Sequence, residues 1–364
     1  MDTNTIDSDR FEAAERRFMR MRQAFRVSAL LVLALVGAGS RTAFASAPCT
    51  DIPHADHPKA TITNGEVKAV VFLPDPVNGY YRGPRFDWSG VVACATYNGH
   101  TYFGEWFRTY DPLINDAITG PAEEFRSGDT EPLYDAAPVG GLFVKPGVGV
   151  LRKVAAAPYK FGFSYPIVDT GQWTVKVKGR SILFRQDLRG PGGIAYRYEK
   201  LLILDKHGAV MTLKHRLKNV GTTAIDTSVY DHGFFMLDGR PTGVGHAVHF
   251  AFKLQPEAPM GDAATVGDND IVYTRDLGAR GGVQGYLKGF SDKVSDYDFT
   301  VEDRTTSVGV EETSTLPLEK VYFWSIKSTI CPEGYVHMHI EPGKTSKWEF
   351  RFRFFGPPKI EPLP

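Results

Sequence analysis

Short segments in which apolar and polar residues alternate, each closed by Gly, Pro, Asn or Asp, recur along most of this chain. In Met211-Thr212-Leu213-Lys214-His215-Arg216-Leu217-Lys218 the alternation puts Met211, Leu213, His215 and Leu217 on one face and basic or polar groups on the other. That is the two-residue period of a strand with one face in a core, and on such a face His215 reads as a packed or hydrogen-bonded histidine rather than a ligand. With 37 Gly and 24 Pro in 364 residues, long helical stretches are interrupted everywhere. The spacing of turn signals matches an antiparallel sandwich, and 42% hydrophobic residues, with 24 Phe and 16 Tyr, suffice for a large core. Strands are expected at Glu66 to Leu73, Gly90 to Tyr97, His100 to Phe107, Trp173 to Lys178, Ser181 to Asp187, Ala195 to Leu204, Ala209 to Asn219, Ile225 to Leu237, Lys320 to Ser328, Val336 to Ile340 and Lys347 to Phe354. The looser stretches 112–146 and 255–283 read as long loops, which in a compact domain usually rim a binding site. The expected fold class is all-β, one large antiparallel β-sandwich.

The N-terminus reads as an export signal. Arg16, Arg17, Arg20, Arg22 and Arg26 flank the apolar run Val27 to Gly39, and Ala43-Phe44-Ala45 or Ala45-Ser46-Ala47 supplies small-residue cleavage sites. The run is shorter than the ~20 residues of a spanning helix, so the expectation is a signal peptide over 1–47, a single sandwich domain over 48–364, and a periplasmic or secreted location without stable membrane insertion after cleavage. An uncleaved anchor with the domain outside the cytoplasm is the alternative. Arg16-Arg17 leaves the Sec and twin-arginine routes both open, because Glu15 stands where a serine or threonine normally precedes the pair, and Pro48 before Cys49 argues against a lipid anchor. Acidic and basic residues balance at 42 each, so no net field draws the protein to nucleic acid or an acidic membrane, and a neutral partner is expected. Cys49, Cys94 and Cys331 permit at most one disulfide and no zinc site; Cys331, between Ile330 and Pro332, reads as a small buried hydrophobe.

Two segments carry groups able to move protons. In Ser228-Val229-Tyr230-Asp231-His232-Gly233-Phe234-Phe235-Met236-Leu237, a histidine set in an apolar strand can hold and pass a proton near neutral pH. In Cys331-Pro332-Glu333-Gly334-Tyr335, a carboxylate between apolar neighbours can have the raised proton affinity of a general base. Read alone, each has a plain alternative, a structural strand histidine and a solvated turn glutamate. A third segment, Tyr80-Tyr81-Arg82-Gly83-Pro84-Arg85-Phe86-Asp87-Trp88-Ser89-Gly90, combines aromatics, arginines and an aspartate. Such groups suit a sugar face and its hydroxyls equally as well as a buried Arg85–Asp87 pair tying the first strands together. Glu105, Trp106, Glu123 and Glu124 could line the same mouth, although Glu123-Glu124 reads first as a charged loop.

His232-Gly233-Phe234-Phe235-Met236-Leu237 resembles the His-x-Tyr-Phe-Asn-Leu pattern of the galactose mutarotase (aldose 1-epimerase) superfamily. Glu333, ahead of Glu341-Pro342-Gly343 and the aromatic strand around Trp348, is similar to that superfamily's late catalytic glutamate. The resemblance implies a supersandwich fold, with Glu333 taking the proton of the anomeric hydroxyl and His232 protonating the ring oxygen, a complete acid and base pair that needs no metal or organic cofactor. It also implies a substrate-binding role for Arg152, at the end of Gly147-Val148-Gly149-Val150-Leu151-Arg152, with a surface arginine as the alternative. Asp231 and Asp238 are the nearest candidates for the hydroxyl-gripping aspartate, and Arg85, Asp87 and Trp324 complete the substrate-binding set. The segment from Tyr80 to Gly90 is similar to one in divergent bacterial relatives. Phe234 and Met236 stand where the pattern has Tyr and Asn, and no Leu-His-Gly-Gly segment supplies a second histidine. The resulting expectation is a sugar isomerase acting on a mono- or oligosaccharide. Its rivals are a non-catalytic carbohydrate-binding protein, and a glycan hydrolase or lyase using Asp87 or Glu105 as a second carboxylate across the same cleft.

Overall fold

The computed structural model describes Cys49, 51–126 and 134–359; the expected signal peptide and its cleavage sites lie outside the described residues. Every strand pairing is antiparallel. A ten-stranded sheet carries Val210–Asn219 at its centre, flanked by Ala195–Leu204 and Thr345–Phe355. A six-stranded sheet runs in the order Gln255–Pro256, Gly282–Lys288, Lys320–Ile326, Thr329–Ile340, Ile225–His232, Ala122–Arg126. Smaller sheets of four and three strands hold the N-terminal region.

Alternation drives this packing. Ser181–Arg189 and Lys320–Ile326 bury every second residue, which places one face of each strand in the core. Leu202, Leu213, Phe350 and Phe352 of the large sheet share one hydrophobic cluster with Val229, Val321, Phe323 and Val336 of the six-stranded sheet, so the two sheets pack face to face.

Where the sequence misleads, burial on both faces or a local ladder break is the reason. The stretch 112–146 contains Ala122–Arg126 and Leu142–Lys145, and 255–283 contains Ala264–Val266 and Asp270–Tyr273. Ala122–Arg126 is buried through its first four residues, both glutamates included, and therefore shows no alternation. The segment expected to be a strand from His100 to Phe107 leaves the ladder after Thr101, where the Tyr102 carbonyl accepts from the Met236 N–H. The expected Ile225 to Leu237 strand ends at His232, and two residues later Phe234 has φ 43°. Glu333 is no turn residue: the strand begins at Thr329 and runs straight through Pro332, which lies beyond the end of the neighbouring Ile225–His232 strand, as a residue without an N–H requires.

A charged layer lies between the sheets. Lys200 Nζ ion-pairs with Glu123 and approaches Asp87 Oδ2 at 3.5 Å, and His215 Nε2 meets Glu123 Oε1 at 2.8 Å. The Tyr198 hydroxyl donates to Asp87 at 2.9 Å. The expected charged loop of Glu123 and Glu124 is thus a buried strand. Asp231 belongs to this layer as well, which corrects its expected substrate-binding role. Its two carboxyl oxygens have no hydrogen-bond partner among the described residues, while Glu312 accepts from Tyr297 at 2.9 Å. Burial, reinforced by the charges of Glu312 and Glu123, pushes Asp231 well above the usual carboxylate range. Burial likewise pushes Glu312 up to about 8. Both shifts favour the protonated form in the folded protein at neutral pH, the form that burial without a neighbouring cation selects.

Cys49 and Cys94 form a disulfide that ties the start of the described chain to Val91–Tyr97, and Cys331 is free and buried. Replacing Cys49 and Cys94 by Ser should lower stability by roughly 2–4 kcal/mol in denaturant unfolding; unchanged unfolding would show that the loop it closes is held by packing alone. The protonated pair gives a second expectation. Raised folded-state values mean stability that is present below the unfolded value of 4.5 and lost as pH rises through about 8. The melting temperature should therefore fall across that window, and Glu312→Gln should flatten the decline; calorimetry at matched ionic strength checks this, and an unaltered slope in the variant would refute it.

Candidate functional site

Register assembles the site. Tyr230 pairs with Tyr335 across the Ile225–His232 and Thr329–Ile340 strands. On the other side of Thr329–Ile340, Lys320 pairs with Tyr335 and Tyr322 with Glu333. Gly282–Lys288 then sets Tyr286 opposite Tyr322 and Gln284 opposite Trp324. Directly opposed residues share a face of the sheet, so His232, two residues past Tyr230, lies beside Glu333 with Nε2 3.3 Å from Oε1. This face forms the wall of a cavity of about 370 Å³ whose lining includes Arg85, Trp106, Phe161, Trp324, Tyr286 and Tyr335, within the size range of small-molecule sites.

Aromatic rings fix the imidazole. Phe234 stacks on His232 with centroids 3.8 Å apart and planes 9° apart, while Phe86 and Trp324 meet it edge-on at 5.7 and 5.5 Å. The left-handed φ of Phe234 is what folds its ring back onto His232. Trp106 stacks on the same Phe234 at 4.8 Å. Beneath the pair, Arg85 donates from Nε to Glu124 Oε2 at 2.8 Å and from Nη2 to the Tyr230 hydroxyl at 3.1 Å, and it also ion-pairs with Asp116. Lys145 Nζ holds the other Glu124 oxygen at 3.0 Å.

The imidazole and the carboxyl shift in opposite directions. Burial, reinforced by Arg85, lowers the His232 imidazole well below its ordinary value. Burial pushes Glu333 up to about 8, the Arg85 charge opposing and Glu124 adding. Near neutral pH the uncharged forms prevail, a carboxylic acid against a neutral imidazole. The contact therefore holds one exchangeable proton and offers one donor and one acceptor side by side.

Of the residues singled out by sequence, His232, Glu333, Arg85 and Trp324 come together in this cavity. Three do not. Arg152 is an exposed strand-end residue of the three-stranded sheet, donating from Nη1 to the Gly140 carbonyl at 2.7 Å. Asp87 lies in the buried layer with Ser89, Tyr198 and Lys200, because Arg85 pairs with Glu124 and Asp116 instead. Asp231 points to the core between Tyr230 and His232, as strand alternation demands. Asp238, the other aspartate considered, binds His100 and Lys359. The second carboxylates expected of a hydrolase or lyase are not across this cleft: Glu105 pairs with His54 at 2.8 Å and accepts from Tyr80 at 2.9 Å. His232 and Glu333 are in contact, with no gap between their side chains.

Tyr322, Tyr286, Gln284, Phe161 and Arg126 also line the cavity and were not anticipated, although the alternation Lys320-Val321-Tyr322-Phe323-Trp324 puts Tyr322 on the same face as Trp324. Among the described residues no cluster of three or more His, Cys, Asp or Glu is arranged to hold a metal ion, and no helix is long and apolar enough to cross a membrane.

No protein-family model matches the chain, and no curated protein matches it by sequence. Solved structures do. A galactose mutarotase related enzyme from Lactobacillus acidophilus is similar over 82% of this chain and 97% of its own, at 13% identity and a TM-score of 0.50. A galactose mutarotase-like protein from Clostridium acetobutylicum is similar over 83% of this chain and 96% of its own, at 11% identity and a TM-score of 0.50. A protein from Synechocystis sp. is similar over 83% of this chain and 97% of its own, at 13% identity and a TM-score of 0.50. Strand composition, antiparallel sheets and these likenesses agree: the described residues adopt the galactose mutarotase-like β-sandwich fold.

Proposed function

We propose that the protein binds a sugar beside His232 and Glu333 and exchanges its anomers, outside the cytoplasm. The observation that carries this reading is the buried contact between an imidazole and a carboxyl, 3.3 Å apart and shifted in opposite directions. Opening a cyclic hemiacetal requires one proton to leave the anomeric hydroxyl and one to reach the ring oxygen. Those oxygens are bonded to the same carbon, so touching acid and base groups suit them, whereas groups bracketing the whole ring would not.

The proton count closes within the pair. With the proton on His232 and Glu333 ionised, Glu333 takes the hydroxyl proton as the anomeric C=O forms, the bond from the anomeric carbon to the ring oxygen breaks, and His232 delivers its proton to that oxygen. The pair is left as carboxylic acid and neutral imidazole, which is also the form burial favours in the protein alone. Addition of the ring hydroxyl to either face of the carbonyl runs the transfers backwards and sets either configuration. A proton passed directly across the contact links the two tautomers, so no net uptake or release is needed. Arg85, already held by Glu124 and Tyr230, presents a fixed donor toward sugar hydroxyls, and the indole rings of Trp106 and Trp324 offer apolar faces for the C–H side of a pyranose. The name of the Lactobacillus neighbour, a galactose mutarotase related enzyme, supports this reading by fold analogy. Export is supported by the basic and apolar leader and by the Cys49–Cys94 disulfide, a bond typical of oxidising compartments.

Glu333→Gln and His232→Asn should each slow enzyme-dependent anomer exchange by at least ~100-fold, the scale of general acid–base catalysis, while sugar affinity stays within a few-fold. Exchange spectroscopy by NMR measures the first and calorimetry the second; undiminished exchange in Glu333→Gln would remove that carboxyl from the mechanism. The pair loses its single proton as pH rises through about 8, so the wild-type rate should fall above that pH, and a rate that climbs through it would contradict the scheme.

A further inference from the structure

The cavity beside Glu333 has a neighbour. It continues along the same sheet face into a second lobe of about 530 Å³, and the two lobes share Arg126, Tyr286 and Tyr335 as lining residues. The register explains the continuity. The row one step along the strands from Tyr286, Tyr322, Glu333 and His232 is Lys320, Tyr335 and Tyr230, and this row forms the ridge between the lobes. Tyr230 and Tyr335 stack at 4.2 Å, and Lys320 Nζ sits 4.0 Å above the Tyr335 ring. Tyr286 is 43% exposed at the junction, an aromatic surface open to the groove.

The second lobe offers hydrogen-bonding groups of both kinds next to aromatic rings. Beside the aromatic Tyr286, Phe290 and Tyr335, its lining carries the polar Ser228, Glu257, Lys288 and Glu319. Charges of both signs are present and cross-linked: Lys288 Nζ lies 2.8 Å from Glu257 Oε1, and the Ser228 hydroxyl donates to Glu319 Oε2 at 2.5 Å. Arg126, Lys288 and Lys320 stand with Glu257 and Glu319, so donors and acceptors lie beside aromatic rings, a combination that suits the hydroxyls and C–H faces of a sugar.

We infer that the groove accommodates two linked sugar units, the reducing-end unit beside Glu333 and His232 and the next unit past Tyr286 in the second lobe, so that the ligand is the reducing end of an oligosaccharide. This rests on the proposed function for the placement of the anomeric carbon. The added unit's site does not depend on catalysis.

The test uses the protein with its leader removed and a panel of monosaccharides (glucose, galactose, mannose, xylose) with disaccharides that end in them (cellobiose, maltose, lactose, mannobiose, xylobiose). Binding is read by calorimetry and anomer exchange by NMR. At least one disaccharide should bind ~10-fold or more tightly than its reducing-end monosaccharide, equivalent to about 1.4 kcal/mol. Glu257→Ala/Lys288→Ala, a double change on the exposed wall of the second lobe, should erase that advantage while leaving monosaccharide affinity within twofold, and Glu319→Gln should do so in part. Disaccharides that bind no better than their monosaccharides, an advantage that survives both variants, or no binding by any of these sugars would each overturn the inference. Exchange of monosaccharides without a disaccharide advantage sinks the second site and leaves the proposed function standing; a disaccharide advantage without exchange keeps the second site and sinks the isomerase reading.

Discussion

The antiparallel register between Ile225–His232 and Thr329–Ile340 is the constraint on which the site depends. Side chains alternate, so Tyr230 and His232 face the groove together with Glu333 and Tyr335, while Val229, Asp231, Gly334 and Val336 face the core. A one-residue slip would send His232 inward and bring Asp231 to the surface. The core opposes such a slip, because Val229 and Val336 pack in the same cluster as Phe350 and Phe352 of the facing sheet. Gly334 adds a steric lock, since a Cβ there would meet the rings of Tyr297 and Phe299 at 2.7–2.8 Å. Fold stability and site geometry thus rest on the same pairing.

Burying an imidazole and a carboxyl in a strand pair requires management of the charges around them. Ala122–Arg126, at the edge next to Ile225–His232, sends Glu124 to the groove side, where Arg85 and Lys145 neutralise it, and Glu123 to the core side, where Lys200 and His215 do. Surrounding cations lower both glutamates' proton affinity against the burial penalty. Asp231 and Glu312 have no such cation in contact and keep their protons instead. Replacing one partner of such a buried pair leaves the other uncompensated, which typically costs ~3–5 kcal/mol. Arg85 is therefore tied to the fold through Glu124 as well as to the groove, and truncating it would confound binding with stability.

Period and turn chemistry made the architecture legible. Ala195–Leu204, Val210–Asn219 and Lys320–Ile326 alternate cleanly because one face of each meets the core and the other is partly open. Ala122–Arg126 escaped notice because it is covered on both sides, and its adjacent glutamates look solvated until Arg85, Lys145, Lys200 and His215 are brought in from distant positions. His232 and Glu333 were readable only through a short motif and its order relative to the last strands. The misplaced residues share one failing: spacing in the chain gives no information on which way an aspartate or arginine points. Asp231 is separated from the groove by strand parity alone, and Arg152 ends a strand of a different sheet.

The departures from the mutarotase pattern acquire a physical meaning in this setting. Phe234 replaces a tyrosine, and its apolar ring stacks on His232, leaving imidazole Nδ1 without a hydrogen-bond partner among the described residues. A histidine whose Nδ1–H was engaged by a carboxylate would hold a second proton readily; this one is held neutral by burial and by Arg85. A charge created on it would be stabilised by an ionised Glu333, 3.3 Å away. Proton affinity at two groups in contact is a property of the pair, and the stacked ring of Phe234 adds to the burial that keeps the imidazole uncharged.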